Sequence, residues 1–145
     1  MTVATLFVRA EDYSAASSWH LLEWCRSRGA DEFGLAFLGP PYLPETLWAK
    51  VDAILAPFRR RIASAGDRWA LTGESIAALR ELLAEGLFTY APAIGALENP
   101  VVYRGGRVFL SVVSQEREGT LHLGPEDEQS LERTGLPAHK ESRSA

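Results

Sequence analysis

The hydrophobic positions of this chain fall into short runs and helical stripes punctuated by glycine and proline, and the sharpest pattern lies between Pro100 and Pro137. There, Val101-Val102-Tyr103 and Val108 to Val113 flank Arg104-Gly105-Gly106-Arg107. Two adjacent glycines reach positive φ without strain, so the two runs are expected to pair as a β-hairpin. In the second strand Val108, Leu110 and Val112 mark one face and Phe109, Ser111 and Val113 the other, which predicts a central strand covered on both sides. Thr120 to Leu123 alternates, with Leu121 and Leu123 inward and His122 outward, and reads as an edge strand. A helix is expected from Pro125 to Gly135, with Leu136 folding back on Leu131.

Earlier in the chain, Thr2 to Arg9 reads as a first strand, and Asp12 or Ser14 can cap a helix running to about Arg28. At about 100° per residue, Ala15, Ser18, Trp19, Leu22 and Cys25 share one face, while His20 and Trp24 lie on the opposite side. Phe33 to Leu38 is a second strand before Gly39-Pro40-Pro41, and this order admits a parallel crossover. Leu47, Trp48, Val51, Ile54, Leu55, Phe58 and Ile62 form the stripe of a second helix. Pro57 lacks an N–H and crowds the preceding turn, so that helix should kink or break near Ala56.

Arg68 to Leu71 is a short extended piece. Thr72 then caps a helix with Ile76, Leu79, Leu82 and Leu83 inward, ending by Gly86 with Leu87 turned back. The segment from Leu87 to Asn99 reads as an ordered connection. The predicted fold is a single α+β domain over residues 1–137: a mixed, mainly antiparallel sheet with a C-terminal β-meander, packed against three to four helices. Residues 138–145 are too polar to dock and are expected to be a disordered tail.

Composition narrows the class. With 46% hydrophobic and 23% charged residues the chain resembles neither a disordered nor a membrane protein. Its apolar runs are too short to span a bilayer, and no basic segment precedes the first strand as in a secretory signal. The net charge is −4, and most of the excess lies beyond residue 112, where four basic residues face seven acidic ones. A nucleic-acid binder needs the opposite balance. The single cysteine, Cys25, fits a reducing, cytoplasmic setting.

Candidate chemistry is sparse. His20 is five positions from Cys25, about 140° around the helix, so the two cannot form a nucleophile–base pair, and Cys25 reads as a small core residue. The three histidines have no partners at ligand spacing, so neither metal nor cofactor is indicated. Glu126, Asp127 and Glu128 suit the first turn of a helix. Arg104-Gly105-Gly106-Arg107 lacks the spacing and lysine of a phosphate-binding loop, and Arg59-Arg60-Arg61 fans across the polar side of a helix. No G-x-S-x-G elbow is present, and no catalytic residues are assigned. Glu116, Glu118 and His122 could serve acid–base work only if the fold brought them together.

Elimination leaves a partner-binding surface. Trp24 projects away from its helix's apolar stripe, Tyr42 lies in a proline-rich loop, and Trp24, His20, Glu116, Glu118 and His122 are the candidate interface residues. The resulting expectation is a non-catalytic cytoplasmic protein that binds another, basic protein. In size and charge the chain is similar to small acidic immunity proteins that inhibit a toxin, and no motif carries that likeness. The alternative is a small enzyme or ligand-binding domain with a pocket between the sheet and the kinked helix, lined by Trp48 and Tyr90. A homo-oligomeric structural subunit is a third class.

Overall fold

Helix ends carry unpaired backbone groups, and this chain places hydroxyl side chains and glycines where those groups need partners. The computed structural model describes residues 3–36, 45–60, 68–89 and 97–142. In order, the elements are β1 (Ala4–Arg9), α1 (Ala15–Ser27), β2 (Glu32–Ala36), α2 (Glu45–Leu55), β3 (Arg59–Arg60), β4 (Arg68–Ala70), α3 (Gly73–Leu82), β5 (Glu98–Arg104), β6 (Arg107–Val113), β7 (Glu118–Leu123) and α4 (Pro125–Thr134). Ser14 and Ser17 form a reciprocal capping box at α1, and Thr72 and Ser75 repeat it at α3. Gly135 ends α4 in the left-handed region.

Among the described residues the strands form one seven-stranded sheet in the order β1-β7-β6-β5-β2-β4-β3. Every described pairing is antiparallel, so the parallel contact that the sequence allowed is not made. Four antiparallel steps lead from β1 to β2, which therefore run in the same direction with three strands between them. β5, β6 and β7 make the expected meander. β7 is not an edge: it lies between β1 and β6. The Gly105-Gly106 turn has φ of 58° and 81°, the positive pair required by a primed two-residue hairpin.

The register assigns the faces. Leu6, Leu121, Leu110, Val102, Phe33 and Trp69 line up across five ladders and point into the core, where Phe33 and Trp69 stack with centroids 5.6 Å apart. The opposite face carries Thr5, Arg9, His122, Tyr103, Glu32 and Arg68. Glu32 is buried there between Arg60 at 3.3 Å and Arg68 at 3.6 Å, and the Arg68 guanidinium lies 3.8 Å above the Tyr103 ring.

Two expectations change near Pro57. The α-helix stops at Leu55 and a 3-10 turn (Ala56–Phe58) follows, so of the kink or break expected near Ala56 the proline makes a break; what changes is the placement of the residues after it. Arg59 and Arg60 consequently lie in β3, not on the polar side of a helix, with Arg59 paired to Asp52 and Arg60 to Asp31 and Glu32. Val51 and Leu55 are buried as the stripe predicts, whereas Phe58 is only partly buried. Arg61, Ile62, Tyr42 and Tyr90, with the side chains of Leu47 and Trp48, lie outside the described residues.

Helix α1 is covered on two sides, which corrects the reading of Trp24. The loop after α3 brings Gly86 against Ala15 and Ser18, and Leu87 donates its N–H to Ser18 Oγ at 3.0 Å. On the other flank Trp24 stacks on Phe109 with centroids 5.7 Å apart and donates Nε1–H to Ser130 Oγ of α4 at 3.1 Å. Trp24 is 6% exposed. Its position opposite the first stripe reflects a second packed surface, not a solvent-facing one.

The polar end of the chain is docked as far as Ser142, contrary to the expected free tail. Phe7 and His139 exchange two backbone hydrogen bonds of 2.7 Å at the outer edge of β1. Residues 143–145 lie outside the described residues.

Candidate functional site

A one-residue irregularity opens the site. Val102 pairs with Leu110, but Tyr103 pairs with Val108, leaving Phe109 as an extra residue in β6. The bulge places Phe109 and Leu110 both in the interior and leaves Val108 exposed, so the strict alternation expected for β6 fails there. β6 pairs with β7 only from Leu110 onward, while the far end of β7, His122 and Leu123, pairs with Thr5 and Ala4 of β1. Between the diverging strands and the start of α4 is a cleft of about 570 Å³. Its lining combines apolar surface from Val3, Val108, Phe109 and Pro125 with Arg28, Arg104, Arg107 and His122, and with the carboxylates of Glu126 and Asp127 at the start of α4.

Asp127 organises the cationic wall. It is buried, and its Oδ1 accepts from Arg28 Nε at 2.9 Å and Arg104 Nη1 at 3.2 Å, while Oδ2 accepts from Arg104 Nη2 at 3.0 Å. Arg104 also donates to the Arg28 carbonyl at 3.1 Å and lies 4.3 Å above the Phe109 ring. Burial alone raises the pKa of the Asp127 carboxyl, but the hydrogen bonds from Arg104 and Arg28, the Arg104 charge and the Gly124 amide together hold it below the usual carboxylate value. The arginines are thereby fixed in place in the wall of the cleft. Arg28 is 29% and Arg104 37% exposed at the side chain.

The fold separates the candidate interface residues. Trp24 is interior, and His20 lies on the solvent side of α1. Glu116 is exposed in the 3-10 turn after β6, whereas Glu118 is buried, 4.0 Å from Arg9 Nε, and accepts from Ser142 Oγ at 2.6 Å. His122 shares a face with Glu118 but is four residues along the strand, about 13 Å away, too far for a shared proton. Of the five, only His122 lines the cleft. Cys25 is fully buried, which raises its pKa and keeps the thiol protonated, in keeping with a core residue.

Arg28, Arg104, Arg107 and Asp127 escaped the sequence reading as a group because each has an adequate local explanation: a helix end, two turn flanks and a first-turn acid. The pairing of Arg28 with Asp127 spans 99 positions. Among the described residues no group of three or more His, Cys, Asp or Glu side chains is placed to hold a metal ion, and no helix is long and apolar enough to cross a membrane. Comparison with protein-family models, with curated proteins and with solved structures yields no match to this chain.

Proposed function

We propose that this protein is a binding domain for a small organic anion, held in the cleft between β6, β7 and the start of α4. The observation that carries this reading is the convergence of three arginines and a histidine, against the two carboxylates of Glu126 and Asp127, on one partly apolar cleft in a chain of net charge −4. The volume falls in the range of small-molecule sites, and the lining suits a ligand with an apolar body and a carboxylate or phosphate end. Arg28 and Arg104 are anchored by Asp127, whereas Arg107 and His122 make no hydrogen bond or ion pair among the described residues and are available to a ligand. A guanidinium offers a planar pair of donors to either anion. The alternative reading, a surface for a basic protein, drew on the acidic C-terminal end and on an exposed Trp24, and Trp24 is buried.

Amide-resolved NMR titration with benzoate and phenyl phosphate, at matched chloride, tests the proposal. Shifts are expected at Val108, His122, Gly124 and Glu126. Arg107→Glu should weaken binding at least about tenfold, since hydrogen bonds to charged groups contribute about 1.5–3 kcal/mol. Arg107 is exposed, so the variant should keep its fold. Shifts confined to another surface, or none with either probe, would count against the cleft as a site.

A further inference from the structure

The outer edge of β1 carries a second feature, independent of the cleft. Residues 137–142 meet it at Phe7 and are held there by a set of polar contacts. Phe7 and His139 exchange both backbone hydrogen bonds. Tyr13 donates its hydroxyl to the Pro137 carbonyl at 2.7 Å, and His139 Nε2 meets Asp12 Oδ2 at 2.7 Å. Arg9 Nη2 donates to the Glu141 carbonyl at 3.2 Å, and Ser142 Oγ to Glu118 Oε1 at 2.6 Å. Ala138 packs on the core. Contacts of this kind each contribute little net stability. The bridge is one residue pair long, so the outward-facing backbone of Thr5 and Arg9 on either side of it belongs to no described ladder.

We propose that residues 137–142 are a displaceable cap on β1, and that the edge beneath pairs with β1 of a second copy of this chain. An unprotected edge is a template for another strand, and a two-fold axis makes the same edge its own partner. With Phe7 on that axis, Thr5 of one copy faces Arg9 of the other, and no like charges are opposed. Apolar Leu6 and Val8 already face the core, so the pairing needs only backbone and outer-face contacts. The cap therefore sets the choice between a closed monomer and a dimer with a continuous sheet.

Two full-length variants release the cap: the triple substitution Asp12→Asn, Tyr13→Phe and Ser142→Ala, and the single substitution His139→Pro, which deletes the N–H donated to Phe7. Hydrogen exchange at Phe7 and His139 reads release, and sedimentation velocity reads mass. In the triple variant the His139 amide should exchange at least about tenfold faster. Both variants should shift from monomer to dimer with concentration, and adding Thr5→Lys, which opposes Arg9 of the second copy, should restore the monomer. A released cap with a monomer at every concentration would overturn the proposal, as would association that persists with Thr5→Lys. Unchanged exchange in the triple variant would show that these side-chain contacts do not hold the segment.

Discussion

At the scale of single residues, two glycines with positive φ show how space and backbone separate. Gly86 has φ of 102°, and a Cβ there would lie 2.5 Å from Ser18 Oγ and 3.0 Å from the Ala15 Cα. Moving Ser18 would also disturb the hydroxyl that receives the Leu87 N–H. Gly135 has φ of 75° with nothing within 4 Å of the missing Cβ. Gly86→Ala should therefore cost about 2–4 kcal/mol, combining backbone strain with overpacking, and Gly135→Ala only about 1–2 kcal/mol of backbone strain. Urea midpoints of the two variants check the ordering, and equal losses would mean that α1 and the loop after α3 yield easily.

At the scale of elements, the same logic isolates the turn between β5 and β6. Neither Gly105 nor Gly106 has a neighbour within 4 Å of its missing Cβ, so replacing both by valine incurs only the conformational cost of two β-branched residues at positive φ. That cost should be about 2–4 kcal/mol, whereas Gly105→Asn should be nearly neutral because asparagine tolerates this region. Thermal melts of the two variants distinguish conformation from sterics. The hairpin, the caps at Ser14 and Thr72, the stop at Gly135 and the break near Pro57 were legible in the sequence because each depends on residues a few positions apart, although the reciprocal bonds from Ser17 and Ser75 were not read. The bulge at Phe109 was not, since it is a mismatch between two strands and leaves each strand's own pattern intact. Trp24 misled for a related reason: its stripe fits one covered face, but its partners are Phe109 and Ser130, the latter 106 positions away. The docking of residues 137–142 depends on backbone and polar partners, which composition does not reveal.

At the scale of the whole molecule, Asp127 joins α4 to the end of α1 and to β5. Its pKa is lowered in the folded protein, so it contributes stability that is fully present above the unfolded value of about 3.9 and is lost as pH falls through the folded value. Asp127→Asn should cost about 2–3 kcal/mol at neutral pH, from the weakened charged hydrogen bonds, and the difference from the parent should shrink on acidification. Chemical denaturation at pH 7 and pH 3 tests this; a difference that grows in acid would reverse the assigned sign. The strand order has a further consequence, in time instead of space. β1 and β2 flank a slot of three strands that come from residues 98–123, so a ribosome releases β1 long before β7, its ladder neighbour among the described residues, has been made. β2, β3 and β4 can pair among themselves once residue 70 has emerged, but β1 must wait through roughly fifty further residues, a delay of several seconds at typical synthesis rates. During that interval Leu6 and Val8 lack their partners across the sheet, which leaves the apolar side of the first strand open to chaperones or to a neighbouring nascent chain.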